Sequence, residues 1–133
     1  MGRRVLITGL ATFWGGRVAQ ALEREPEVEV IVGLDREEPS VELERTEYVR
    51  SDENYSILSR IVQATGVDTI VHTFLVVDST QMAAKHMHEI NVIGTMNLLA
   101  AASAPGASVR TIVVKSSTLV YGSSTFNLNL AGK

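Results

Sequence analysis

Two glycines and a threonine near the amino terminus are spaced for chemistry on a phosphate group. Gly9, Thr12 and Gly15 recur at every third position after the apolar run Val5–Ile7. This order predicts a buried strand, a sharp turn at Gly9 and a helix that begins close to Gly15. The free N–H groups at such a helix start, together with the helix dipole, suit a pyrophosphate.

An acidic residue follows where the ribose of a dinucleotide would be bound. Asp35 lies 20 positions after Gly15, at the end of a second apolar run. Its carboxylate is placed to accept hydrogen bonds from adenosine ribose hydroxyls. The glycine spacing is that of a dinucleotide-binding fingerprint in which Thr12 replaces the middle glycine. Alternatively, Gly9 and Gly15 only form a strand–helix turn; the preceding strand and the following acid favour the binding interpretation.

Composition restricts the class of protein further. The chain has 133 residues, of which 45% are apolar and 20% charged, so a single globular domain is expected. A net charge of −3 gives no basic surface for nucleic acid, and the lack of cysteine excludes disulfides and thiolate metal sites. His86 and His88 are two positions apart on a predicted helix and make a poor metal pair, so no metal site is predicted. Without a signal-peptide pattern or a membrane-length apolar run, the expected location is the cytoplasm.

Strand patterns alternate with helix patterns along the chain, which predicts an α/β fold with a doubly wound parallel sheet. The predicted strand order 3-2-1-4-5 places a ligand crevice between strands one and four, at their carboxyl ends. The predicted helices are 14–25, 55–65 and 79–103, and the strands after the first are 28–34, 48–49, 69–73 and 110–115.

Six segments together resemble the extended short-chain dehydrogenase/reductases, in particular the NAD-dependent sugar epimerase/dehydratase group. They are Thr8–Gly15, Gly33–Arg36, Ser51–Asp52, Asp68–His72, Asn91–Leu99 and Ser116–Gly122. The resemblance covers nearly all of residues 3–122. It implies a Rossmann domain over residues 1–122, followed by a tail at 123–133 that is a natural stop, a truncated end or a displaced terminus.

The resemblance also implies roles for the residues of the first three segments. Gly9, Thr12 and Gly15 match the phosphate-binding positions. Phe13 and Trp14 belong to the same cofactor-binding loop, and Trp14, where the family carries an aliphatic residue, is interpreted as packing. Asp35 favours NAD because a 2′-phosphate would meet a like charge. NADP is the lesser alternative, since the guanidinium of Arg36 could accept that phosphate. Asp52 matches the residue that meets the adenine amino group.

Further site residues are expected later in the chain, one of which matches a catalytic residue of the family. Thr73 and Phe74 replace small residues beside the nicotinamide. Asn91 is expected to shape the site by bonding to a strand-end loop. Lys115 either reaches the phosphates or is a solvated strand end. Ser117 matches the catalytic serine or threonine that hydrogen-bonds the reacting hydroxyl or carbonyl.

The family's general base does not occur in the sequence. The base is the tyrosine of a Tyr-x-x-x-Lys pair, whose pKa the lysine lowers. None of the three tyrosines, Tyr48, Tyr55 and Tyr121, has a lysine four positions later. We therefore expect the NAD-binding domain of a nucleotide-sugar epimerase/dehydratase-like oxidoreductase; the alternative is a non-catalytic dinucleotide sensor or scaffold. The expected partners are a nucleotide-sugar in a full-length enzyme and a second copy paired through helix 79–103, as family members dimerise.

Overall fold

Strands and helices alternate through most of the chain. The computed structural model describes residues 2–51, 54–73 and 84–114, and only the backbone of 84–91. The elements are β1 (Arg3–Thr8), α1 (Phe13–Glu23), β2 (Val28–Asp35), β3 (Glu47–Arg50), α2 (Tyr55–Thr65), β4 (Thr69–His72), α3 (Ala84–Ser103) and β5 (Thr111–Val114).

The five strands form one parallel sheet in the order β3-β2-β1-β4-β5, as the sequence predicts. Strand β1 lies at its centre, where Val5 is in register with Ile31 of β2 on one side and Thr69 of β4 on the other. The strand order reverses at β1, so the carboxyl ends of β1 and β4 form the switch point at which open α/β sheets bind ligands.

Alternate residues of the central strands bury against opposite layers of helix. Leu6 of β1 belongs to the core that includes Leu58 of α2 and Leu98 of α3. Val5 and Ile7 face the other core, together with Ala19 of α1. Each fully buried aliphatic side chain stabilises the fold by about 1.5–3 kcal/mol. Because both faces are covered, β1 is apolar at consecutive positions.

The observed bounds differ most from the predicted ones at the ends of α1. The helix begins at Phe13, because Thr12 has an extended backbone and caps the first turn with its side chain. It ends at Glu23 rather than at Glu25, since the N–H of Arg24 turns back to the carbonyl of Ala21. Helix α2 matches its prediction, ends at Thr65 and is capped by Gly66, whose φ is 63°. Residues 79–83 of the predicted third helix lie outside the described residues.

Arg45 and Glu23 fasten the loop between β2 and β3 to the end of α1. The guanidinium of Arg45 donates to the carbonyl oxygens of Leu22 (3.0 Å), Glu23 (3.0 Å), Glu25 (3.0 Å) and Val28 (2.8 Å). The carbonyls of Leu22 and Glu25 also accept the backbone N–H groups of Glu25 and Val28, so Arg45 adds a second donor to the turn that leads from α1 into β2. The contacts fix the loop that follows Asp35.

Helix length and apolar content bear on membrane insertion. Within the described ranges, no helix is both long and apolar enough to cross a bilayer.

Candidate dinucleotide-binding site

The turn after β1 brings the chain back over the end of β2. Gly9 has a φ of 80°, a region that favours glycine, and its N–H donates to the carbonyl of Leu34 at 2.9 Å. The N–H of Thr12 then donates to the carbonyl of Gly9 at 3.0 Å. This is the sharp turn that the sequence predicts at Gly9.

Gly15 lies against the backbone of this turn. A Cβ atom added to Gly15 would lie 1.9 Å from the carbonyl oxygen of Gly9 and 2.9 Å from the hydroxyl of Thr73. The contacted atoms include backbone, which cannot rotate aside as a flexible side chain can. The position therefore requires glycine, and it holds the start of α1 close to the end of β1.

Thr12, the departure from the usual glycine, serves as the N-cap of α1. Its side-chain oxygen accepts from the N–H of Gly15 at 3.0 Å and donates to the carbonyl of Gly9 at 2.7 Å. The N–H groups of Phe13 and Trp14 are the first two of the helix and have no carbonyl one turn earlier within it. Those two groups are thus the donors of the helix start that an anion can use.

Thr73, directly after β4, forms hydrogen bonds to the turn that follows β1. It is 4% exposed, and its hydroxyl donates to the carbonyl of Thr8 at 2.8 Å. The same hydroxyl lies 3.1 Å from the hydroxyl of Thr12. The switch point between β1 and β4 is thereby tied together by side chains from both strand ends.

Asp35 is held in place by backbone donors. One carboxylate oxygen accepts from the N–H of Ala11 at 2.8 Å and the other from the N–H of Glu37 at 3.1 Å. The residue is only 7% exposed. Each carboxylate oxygen has a second lone pair, so the group retains acceptor capacity beside the loop. Arg36, next in sequence, is exposed, and its carbonyl accepts from the guanidinium of Arg50 at 3.1 Å.

His72, the last residue of β4, forms a buried bridge below the site. One ring nitrogen bonds the hydroxyl of Thr8 and the other the hydroxyl of Thr95 on α3, at 3.1 Å. Both ring nitrogens are thus paired with hydroxyl groups. Burial lowers the pKa of His72 because the charged ring would lose its hydration.

Two aromatic side chains stand at the start of α1. Phe13 is 58% exposed and Trp14 51%, with their ring centroids 5.1 Å apart in an edge-to-face arrangement. The guanidinium of Arg17 lies 3.8 Å from the ring centroid of Phe13. Trp14 therefore packs against Phe13, but about half of its side chain is exposed to solvent.

The structure brings Gly9, Thr12, Gly15, Asp35 and Thr73 together at one edge of the sheet. The predicted site residues Phe13, Trp14 and Arg36 lie on the same loops and are exposed. Of Asn91 the backbone alone is described, and four predicted site residues lie outside the described residues: Asp52, Phe74, Lys115 and Ser117. The described part of the chain contains no group of three or more metal-binding side chains.

A profile of the NAD dependent epimerase/dehydratase family matches residues 5–129. The chain belongs to this family. Uncharacterized proteins of Mycobacterium bovis and Mycobacterium tuberculosis are each 34% identical to it over 125 residues, which is 90% of this chain and 33% of theirs. The chain thus spans about a third of the length of these relatives.

Solved structures agree with the family in fold. A short-chain dehydrogenase/reductase superfamily protein from Agrobacterium tumefaciens with bound NAD is 31% identical, with a TM-score of 0.70 over 90% of this chain and 34% of that one. MoeE5 in complex with UDP-glucose and NAD is 26% identical, with a TM-score of 0.73 over 92% of this chain and 39% of that one. The five-stranded parallel sheet is therefore Rossmann-like, and the family and its NAD-bound neighbours support a domain that binds a nicotinamide dinucleotide.

Proposed function

We propose that the chain is the NAD-binding part of a nucleotide-sugar epimerase/dehydratase-like oxidoreductase. The observation that carries the proposal is the contact of Gly15 with Gly9 beside the anchored carboxylate of Asp35. This geometry leaves a helix start open for a pyrophosphate and an acid at the adjacent strand end for a ribose. The NAD in MoeE5 and in the Agrobacterium protein supports the choice of cofactor, and the UDP-glucose in MoeE5 supports the substrate class.

Each part of the site has a separate binding task. The N–H groups of Phe13 and Trp14 donate to the pyrophosphate, with Thr12 holding the helix start in position. Asp35 accepts from the ribose hydroxyls and repels a 2′-phosphate, while Asp52 meets the adenine. Phe74, Asn91 and Lys115 complete the cofactor pocket, together with Thr73. The bound nicotinamide supplies hydride transfer.

Binding of the two cofactors tests this proposal directly. Isothermal titration calorimetry with NAD and with NADP should give saturable NAD binding and weaker NADP binding. Equal or tighter binding of NADP would show that Arg36 controls the selection in place of Asp35. Failure of both to bind would reject the proposal.

Catalysis by this chain alone is a separate question. Ser117 is proposed to polarise the reacting oxygen of the sugar, but no Tyr-x-x-x-Lys pair occurs in the 133 residues. For these 133 residues taken alone, that observation favours a second candidate, a non-catalytic sensor or scaffold that binds the dinucleotide. An assay for NAD reduction with UDP-sugars tests the enzyme, because turnover that Ser117→Ala abolishes would support it. NAD binding without turnover fits both candidates, and an open reading frame that continues past Gly122 into a Tyr-x-x-x-Lys pair would then decide for the enzyme.

A homodimer through α3 is proposed for the assembled protein. Val92, Ile93, Met96 and Leu99 on this helix are 39%, 54%, 63% and 44% exposed. An apolar strip of this kind favours association with a partner. The proposal further places a Rossmann domain at residues 1–122, a tail at 123–133 and the protein in the cytoplasm.

A further inference from the structure

A cavity of about 480 Å³ opens at the amino ends of β1, β4 and β5. Because these strands are parallel, their amino ends share the edge of the sheet that is opposite to Gly9. The six residues of β1 separate the two edges by about 20 Å. The cavity lies within the size range of small-molecule sites, about 300–1,000 Å³. Because it lies at the opposite edge of the sheet, the cavity is distinct from the dinucleotide site.

The cavity is lined by three guanidinium groups and two carboxylates: Arg3, Arg4, Arg110, Glu29 and Asp68. The lining therefore carries an excess of positive charge in a chain whose net charge is −3. Which of these charges remain available depends on the contacts that each side chain makes within the fold.

Arg4 and the two carboxylates are used by the fold itself. Arg4 forms an ion pair with Glu29 at 3.2 Å, and its Nε donates to the carbonyl of Thr65 at 2.7 Å. Asp68 accepts from the backbone N–H of Arg4 at 3.1 Å and from the hydroxyl of Thr69 at 2.7 Å. These contacts hold the wall of the cavity in place. They also occupy Nε and Nη1 of Arg4, so few of its N–H donors remain for a ligand.

The guanidinium groups of Arg3 and Arg110 remain available to a ligand. Both side chains are exposed, and no ion pair joins either one to a carboxylate in the described ranges. Arg3 makes one long contact, 3.4 Å from Nη1 to the hydroxyl of Thr69. They stand on β1 and just before β5, on either side of β4. A guanidinium has five donors in a planar fork that matches a phosphate or a carboxylate.

The backbone that carries Arg110 is itself well anchored. The N–H groups of Arg110 and Thr111 donate to the carbonyl of Asp68 at 2.8 Å and 3.1 Å. The hydroxyl of Ser108 donates to the carbonyl of Val67 at 2.9 Å. The Arg110 side chain therefore extends from an ordered backbone, so ligand binding does not have to order that backbone.

We propose that this cavity binds the oxyanion group of a small metabolite between Arg3 and Arg110. The shared chemistry is a phosphate or a carboxylate that accepts paired N–H bonds from the two guanidinium forks. The proposal is independent of the dinucleotide site, because the two lie at opposite edges of the sheet.

Titration calorimetry with inorganic phosphate and with citrate tests the proposal, with the chain first saturated with NAD so that the pyrophosphate position is filled. Saturable binding that NAD does not displace is expected for at least one probe, and the tighter one tells phosphate from carboxylate. Sodium chloride at matched ionic strength measures screening alone. The proposal would be overturned if phosphate and citrate bind only in the absence of NAD. It would also be overturned if their heats of titration equal those of sodium chloride.

Three substitutions locate the binding. Arg3→Gln and Arg110→Gln should each weaken it about tenfold, the loss of one charge-assisted hydrogen bond. Arg60→Gln is the matched control, since Arg60 is exposed on α2 and does not line the cavity. Arg110→Lys, which keeps the charge but loses the fork, should fall between wild type and Arg110→Gln. Equal weakening by Arg60→Gln, or none by Arg3→Gln and Arg110→Gln, would show that no such site exists.

Discussion

The Cα of Gly15 faces the carbonyl of Gly9 so closely that an added Cβ would lie 1.9 Å from that oxygen. The contact couples the end of β1 to the start of α1, and both N–H donors proposed for the pyrophosphate belong to this start. Any side chain at Gly15 must therefore move the helix away from the loop.

Gly15→Ala should destabilise the fold by about 3 kcal/mol or more, because the clash is with backbone. It should also abolish NAD binding. Gly106→Ala is the control: its φ is 87° but nothing lies within 4 Å of the added Cβ. Gly106→Ala should be destabilised by only about 1–2 kcal/mol, because alanine adopts a positive φ less readily than glycine, and it should keep NAD binding. Urea unfolding and calorimetry measure both, and equal losses in the two variants would argue against the steric coupling.

Asp35→Asn should weaken NAD binding by about 1–3 kcal/mol, since the charged acceptor for the ribose is lost. It should also reduce the preference for NAD over NADP. Asparagine keeps one oxygen for the N–H of Ala11 or Glu37, so the loop should survive. Glu37→Gln, which removes an exposed charge two residues away, should leave both affinities unchanged. Unchanged selectivity in Asp35→Asn would assign the selection to another residue.

His72 should make the free energy of unfolding depend on pH. Burial lowers its pKa in the folded chain below the unfolded value of about 6.5, so the unfolded state binds more protons between these two values. The stabilisation is complete above about pH 6.5 and is lost as the pH falls through the folded pKa. In His72→Asn this slope should disappear. His86 and His88 remain in both proteins, so the difference between urea titrations isolates His72. An identical slope in wild type and variant would contradict the assignment.

Glu23 should contribute a second loss of stability in more acidic solution. Burial raises its pKa, but hydrogen bonds from the backbone N–H groups of Arg45, Glu44 and Thr46 and from the Thr46 hydroxyl outweigh burial and leave the pKa below its usual value. The stabilisation is thus complete above about pH 4.5 and is lost as the pH falls through the folded pKa. Glu23→Gln should cost about 1–2 kcal/mol at neutral pH after allowance for solvent screening. Glu25→Gln, an exposed neighbour, should cost almost nothing in the same urea unfolding experiment.

The sequence predicts the sheet order and the turn at Gly9 because both depend on local patterns. Apolar runs define the strands, and glycine spacing defines the turn. It does not predict the contact between Thr12 and Thr73, whose positions are 61 residues apart. Nor does it predict the role of Arg45, because an arginine in a charged loop is ordinarily solvated. The replacement of a glycine by Thr12 was the one local signal that the turn is held by side chains.

Charged substitutions on α3 should test the dimer. Ile93 and Met96 are 54% and 63% exposed, and burying them against a second copy would remove apolar surface from water. Sedimentation velocity at micromolar concentration should show a dimer for the wild type and a monomer for Ile93→Asp and Met96→Asp. Tyr55→Asp, at an apolar side chain 44% exposed on α2, should leave the dimer intact. A monomeric wild type would indicate that residues 123–133 cover the strip, and deleting those residues should then restore association. If the deleted chain is also monomeric, α3 is not a dimer interface.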